Sequence, residues 1–218
     1  MKLYINGKEI SRANSVKYLG LTIDENLKFS DHIKLVHDKI IKYVGIFYKI
    51  RHKLPYQYLK GLYFATVYPH ILYGVEIYAN THKSDLSDLI ILNNKLLRII
   101  QKKDLKANVA ELYNEYSTLP IDLLHKFKVL KLVHLFTYSR ECLPVAFRNY
   151  FTLNSSENQH NTGNSSNFHL GANQTSFGMR SITYFGLVLR NSLPLSIKNQ
   201  SNLHIFEKNV KIHIVSAK

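Results

Sequence analysis

Cysteine and tryptophan are nearly missing from this 218-residue chain, which has Cys142 alone and no tryptophan at all. A lone thiol cannot close an intramolecular disulfide or supply a cysteine-rich zinc site, so a reducing, intracellular setting is expected. Acidic side chains are scarce too: 15 Asp and Glu face 29 Lys and Arg, a formal net charge of +14. That excess favours polyanionic partners, nucleic acid above all, although anionic lipid and simple solubility would use the same charge. No apolar run approaches the ~20 residues that span a bilayer. Lys2, Lys8, Glu9, Arg12 and Lys17 also interrupt the start too often for a signal-peptide core. No membrane partner is therefore expected, and the sequons at Asn164 and Asn173 read as accidents of an Asn-rich stretch.

Catalytic patterns are equally thin. There is no GxxxxGK[ST] phosphate loop, no GxGxxG, no GxSxG elbow and no HExxH. Asp85 and Asp88 can share a helix face, but carboxylates early in a helix are explained by its dipole. His32, His37, His125 and His134 lack the spacing of a ligand set, and Cys142 with a distant histidine does not make a thiol enzyme.

Hydrophobic residues make up 45% of the chain, enough to bury a core. Leu3 and Ile5 alternate before Asn6-Gly7, the pair that a tight hairpin turn prefers, and a second apolar run covers Val16 to Ile23. From Ser30 the period becomes helical: Ile33, Val36, Ile40, Tyr43, Phe47, Ile50 and Leu54 step by three and four. Lys34, Lys42, Lys49, His52 and Lys53 gather on the other side, so the helix is expected to bury one stripe and show a basic one.

Pro55 should end that helix and open the next, "YQYLKGLYFATVYPHILYGVEIYA", which is apolar nearly all round and is expected to be buried and broken near Pro69. Its tyrosines read as packing rather than as base-stacking platforms. Ser84 is expected to cap a further helix with Leu86, Leu89, Leu96, Leu97 and Ile100 inside. That helix finishes in Arg98, Lys102 and Lys103, a cluster that suits either the helix dipole or a phosphate. A short amphipathic helix over 108–117 and another starting at Pro120, with Lys126, Lys128 and Lys131 projecting, complete the series.

Composition then shifts: Asn, Ser, Gly and Gln dominate residues 152–178, which read as a flexible linker, and apolar patterning returns afterwards. The expected architecture is mainly α. An N-terminal β-hairpin (1–29) precedes a helical bundle (30–150), a polar linker (151–178) and a small C-terminal segment (179–218) that packs back on the helices.

Two stretches, "YINGKEI" at 4–10 and "KYLGLTIDENLKFSDHI" at 17–33, resemble the segment that follows the catalytic core in reverse transcriptases of non-LTR retrotransposons, particularly jockey-like elements. The likeness continues through "KLPYQYLKGLYFATVYPHILYGVEIYA", "LIILNNKLLRII" and "STLPIDLLHKFKV". It resumes as "GMRSITYFGLVLRNSLPLSIKNQSNLHIFEKNVK". Phe29, Tyr78 and Arg190 stand where that family usually has tryptophan.

The resemblance implies that the hairpin around Tyr18, Leu19 and Gly20 corresponds to a primer grip at the end of the palm. It implies that the basic helix opens a thumb, whose Lys34, Lys42, Lys49 and Lys53, with Arg98, Lys102 and Lys103, face an RNA–DNA hybrid or duplex without reading its sequence. It implies too that the family's catalytic aspartates, which hold magnesium, lie upstream of this chain. The chain would then be a thumb-side fragment with no cofactor of its own, a palm-and-fingers portion as partner, and nuclear access through the family's use of chromosomal primers. A co-opted helical module that binds a protein through a tyrosine-rich surface is the alternative.

Overall fold

A computed structural model describes residues 3–147, 150–152, 154 and 167–216. Two compact units divide the chain, Met1–Thr118 and Leu119–Lys218, so the boundary falls inside the stretch 30–150 that the sequence groups as one bundle. The architecture is mainly α with β-hairpins at the N-terminus, as the periodicities imply.

The first unit begins with two separate antiparallel hairpins. Strands β1 (Leu3–Ile5) and β2 (Lys8–Ile10) flank Asn6-Gly7, and β3 (Ser15–Tyr18) and β4 (Leu21–Asp24) flank Leu19-Gly20. Both residues of each turn have positive φ, the backbone that matches the twist of two-residue hairpins. Of these strands only β4 reaches the core, through Leu21.

Helix α1 (Ser30–Ile50) buries Ile33, Val36, Ile40 and Phe47 along α5 (Lys83–Ile100), whose Leu86, Leu89, Leu92, Leu96, Leu97 and Ile100 all face inward. Leu54 was expected on the same stripe but lies exposed beyond the helix, because Pro55 forces its neighbour out of helical geometry. Pro55 occupies the N-cap of α2 (Tyr56–Thr66) rather than its first turn. The expected break comes at Val67, before α3 (Tyr68–Leu72) with Pro69 near its start; Gly74 then separates α3 from α4 (Val75–Tyr78).

Ser84 does not cap α5. The helix starts at Lys83 behind His82, two residues earlier than a Ser84 cap would place it, and the Thr81 hydroxyl, 2.8 Å from Asp85 Oδ2, lies beside the first turn. Helix α6 (Val109–Tyr116) begins as expected, with the Asn108 carboxamide accepting from the Ala110 N–H at 2.9 Å.

Four tyrosines of this unit are buried packing groups. Tyr63, Tyr78, Tyr113 and Tyr116 are at most 2% exposed, and a polar string runs through Tyr63 and Tyr113. Tyr63 donates to Asn93 Oδ1 at 3.0 Å, Asn93 Nδ2 donates to the Tyr113 hydroxyl at 3.0 Å, and Tyr113 donates to Asn94 Oδ1 at 2.8 Å. Each buried polar atom in that string gains a partner, which is the condition for keeping an Asn pair on an apolar helix face.

The second unit is organised on α7 (Ile121–Tyr138), against which α9 (Ile182–Asn191) and α11 (Leu203–Ser216) pack. The short helices α8 (Ser176–Arg180) and α10 (Leu195–Lys198) connect them. Gly186 allows α9 to lie close to α7, since a Cβ there would stand 3.0 Å from Val133 Cγ2. The described ends of the stretch 151–178 are built into this unit: Phe151 and Phe168 join Val133, Phe136 and Leu187 in its core.

Asn191 holds Phe168 by its backbone, accepting from the Phe168 N–H at 3.2 Å and donating to the Phe168 carbonyl at 3.1 Å. Lys198 Nζ donates to the Asn191 carbonyl at 2.6 Å and to Asn167 Oδ1 at 3.1 Å. Arg190 fills the place of the expected tryptophan with another flat group, its guanidinium carbon 4.6 Å from the Phe168 ring centroid. Burial holds the Arg190 and Lys198 pKa values below their ordinary ranges.

Replacing Asn191 with Ala strands both backbone groups of Phe168. Urea denaturation is expected to show a loss of about 2–4 kcal/mol; a loss under ~0.5 kcal/mol would mean that Asn191 does not hold this segment.

Candidate nucleic-acid interface

Where a hairpin hands over to a helix, the chain has to turn within a few residues, and here "DENLKFS" does so at local cost. Leu27 and Phe29 both sit in the left-handed region, φ 52° and 56°, which disfavours branched and bulky residues by roughly 1 kcal/mol each. The Asp24 carboxylate offsets this by accepting from the N–H groups of Asn26, Lys28 and Phe29. Burial pushes the Asp24 pKa up, but the backbone donors outweigh it and hold the carboxyl below its ordinary value.

His32, in the first turn of α1, fastens the other side of the hairpin. Its Nδ1 accepts from the Thr22 N–H on β4 at 3.3 Å, which requires the neutral ring to carry its proton on Nε2. The ring is buried 5.2 Å from Tyr78, and burial, then the nearby charge of Lys39, lower its pKa. The tip of the same hairpin is fastened from α3: the Tyr73 hydroxyl donates to the Leu19 carbonyl, and the Tyr73 ring covers Gly20. Next to it Gly74, φ 68°, makes room for Leu21, whose Cδ2 would stand 2.7 Å from a Cβ at that position.

The candidate residues named from sequence divide into three groups. Tyr18, Leu19 and Gly20 form the hairpin tip, with Tyr18 63% and Leu19 73% exposed. Lys34, Lys42 and Lys49 are exposed on α1, within roughly 80° of arc and opposite the buried stripe, and Lys53 follows the helix end. Asp31 and Asp38 bring acidic groups to that face, and Leu35, Ile41, Ile46 and Tyr48 flank the lysines as exposed apolar neighbours.

Arg98, Lys102 and Lys103 close α5 structurally. The Arg98 guanidinium donates to the Ala107 carbonyl at 3.3 Å, and the Lys103 N–H returns to the Arg98 carbonyl at 2.9 Å around Lys102 at φ 55°. Lys102 and Lys103 keep their side chains exposed, whereas Arg98 is half-buried against the following loop. Sequence reading passed over Asp24, His32 and Tyr73 as parts of this site. The "PHILYG" segment, a proline break ending in Tyr-Gly, is the signal that could have drawn attention to Tyr73.

Among the described residues no three of His, Cys, Asp and Glu converge as a metal cluster. The side chains present therefore do not fit a magnesium pair, which needs a carboxylate clamp. Among the same residues no helix is long and apolar enough to cross a membrane.

The chain is similar to two curated proteins, each called RNA-directed DNA polymerase from mobile element jockey. The protein of Drosophila melanogaster is 33% identical over 99 residues and that of Drosophila funebris 28% identical over the same length. Each match covers 44% of this chain and 11% of the relative, so the chain parallels a small part of those polymerases. No protein-family profile matches the chain, and no solved structure does. The matches support a relationship to a non-LTR reverse transcriptase.

Two of the buried histidines, His32 in the first unit and His134 in the second, have lowered pKa values, chiefly through burial. Below about pH 6.5 the unfolded chain binds more protons at these sites, so stability is expected to fall as pH drops through 6.5 toward the folded values. Asp24, held below its ordinary value of 3.8, stays ionised throughout that window. Thermal unfolding between pH 7.5 and 5 should show the decline, and the double variant H32Q/H134Q should show a shallower one. An equal slope in the variant would assign the decline to other groups.

Proposed function

We propose that this chain acts as the primer-grip and thumb side of an RNA-directed DNA polymerase of a jockey-like non-LTR element, gripping template–primer without reading its sequence. The observation that carries this reading is the alignment of Lys34, Lys42 and Lys49 along the solvent face of α1, directly behind a hairpin locked to the same helix. At 1.5 Å per residue those lysines span about 22 Å of helix, a length suited to several phosphates of a duplex. Phosphate contacts are indifferent to sequence, and a polymerase moving through arbitrary sequence needs that indifference.

In this reading Tyr18, Leu19 and Gly20 meet the primer terminus, Lys34, Lys42, Lys49 and Lys53 meet the duplex backbone, and Lys102 and Lys103 add charge nearby. The catalytic aspartates and their magnesium belong to another portion of the parent enzyme, so the chain binds without polymerising. An intracellular place of action with access to the nucleus accompanies it. A protein-binding role is the second reading, and its supporting observation is the exposed apolar group Leu35, Ile41, Ile46 and Tyr48 beside the lysines.

Anisotropy of a labelled RNA–DNA hybrid across a salt series is the test. Binding is expected to weaken steeply with salt, with no primer extension. Changing Lys34, Lys42, Lys49 and Lys53 together to Gln should weaken it at least tenfold and reduce the salt slope by about 3–4 units. Affinity and slope that survive the quadruple change would remove α1 as the duplex contact. Absence of binding by the folded chain would favour a protein partner.

A further inference from the structure

We infer that Tyr73 is a positioning residue of the hairpin tip, setting the direction of the Leu19–Gly20 peptide at the place where a primer terminus is met; this rests on the nucleic-acid reading above. Leu19 is a poor residue for its conformation. The first position of such a two-residue turn favours Asn, Asp or Gly, and Leu19 holds φ 45° with no local side-chain hydrogen bond to support it. Its support comes from 54 residues away, where the Tyr73 hydroxyl donates to the Leu19 carbonyl itself.

The ring does the complementary task. A Cβ on Gly20 would meet Tyr73 Cε1 at 3.2 Å and the hydroxyl oxygen at 3.3 Å, so the ring lies against the turn backbone and leaves it one orientation. Tyr73 is itself aimed by the break in the apolar helices. It leaves α3 with extended backbone, φ −66° and ψ 111°, while its N–H still returns to the Pro69 carbonyl at 3.0 Å. Gly74 follows in the left-handed region against Leu21, so ring and strand approach the same point from adjacent residues.

Yet the ring stays 56% exposed. A tyrosine needed only for the core would be buried like Tyr63 or Tyr78. Tyr73 lies at the surface beside Tyr18 and Leu19 of the tip, where it can act on what the tip touches by fixing the tip's carbonyl.

The experiment compares Tyr73→Phe with the unaltered full chain on two labelled RNA–DNA hybrids of one sequence, one with a recessed 3′ end and one with both ends closed by loops. The unaltered chain is expected to prefer the recessed end. Tyr73→Phe should lose roughly three- to tenfold of that preference, as one net hydrogen bond implies, with a smaller loss of affinity for the closed hybrid and an unfolding midpoint lower by only a few degrees. Lost stability with the preference intact would be the mark of a merely structural residue and would overturn the inference. Salt-sensitive binding by the unaltered chain without any end preference would also overturn it while leaving α1 as a duplex contact. No binding to either hybrid would defeat the nucleic-acid reading itself, and this inference with it.

Discussion

The packing of Leu21 into the space left by Gly74 is the contact on which the first unit depends, because it is where strand and helix structure meet. Two short hairpins have almost no core of their own: β1, β2 and β3 are exposed along their whole lengths. Isolated two-stranded hairpins are marginal in water. The second hairpin persists because one residue of β4 is buried in the helical core, two groups hold it from outside, His32 on the Thr22 N–H and Tyr73 on the Leu19 carbonyl, and its own Asp24 binds the connecting loop. Each is polar, short-ranged and provided by a different element, so the hairpin takes a fixed orientation to α1 and not merely a place near it.

Much of the helical organisation was legible from spacing alone. Ile33, Val36, Ile40 and Phe47, and Leu86 through Ile100, declare their faces because burial on a helix repeats every three or four residues. The break near Pro69 was legible from the missing N–H. What stayed hidden was whatever depends on a partner distant in sequence. Nothing near Leu19 announces Tyr73, and nothing in an Asn-rich stretch announces that Phe168 belongs to a core. Capping chemistry stayed hidden for a related reason: Ser84 is a good cap by type, but α5 begins behind His82 with no side-chain cap, and Thr81 beside its first turn is engaged by Asp85 and by the distant Lys28 carbonyl.

Arg190 and Arg98 make the same point about charge. Both were read from sequence as exceptional or functional cations, and each has a structural use: Arg190 lies over Phe168, and Arg98 donates to the loop after its helix. A guanidinium is flat and presents donors at its edge, so it can replace an aromatic ring or tie down a carbonyl in ways that a lysine ammonium does not. Lys34, Lys42 and Lys49 differ because they are exposed on the face of α1 opposite its core residues.

That separation divides the proposed site by the range of its forces. Charge on α1 acts over about a Debye length, ~8–10 Å at ordinary salt, and is screened when salt is added. The hairpin tip acts through contacts of hydrogen-bond length that salt does not reach. None of the groups that lock the tip, Tyr73, Gly74, Leu21, His32 and Asp24, is one of the stripe lysines, so the stripe can change without loosening the tip. In the proposed reading, a grip built this way would hold any duplex by its phosphates and would leave the decision about where the strand ends to a few uncharged atoms. Affinity and placement would thereby be properties of different residues, joined only by the packing of the hairpin on its helix.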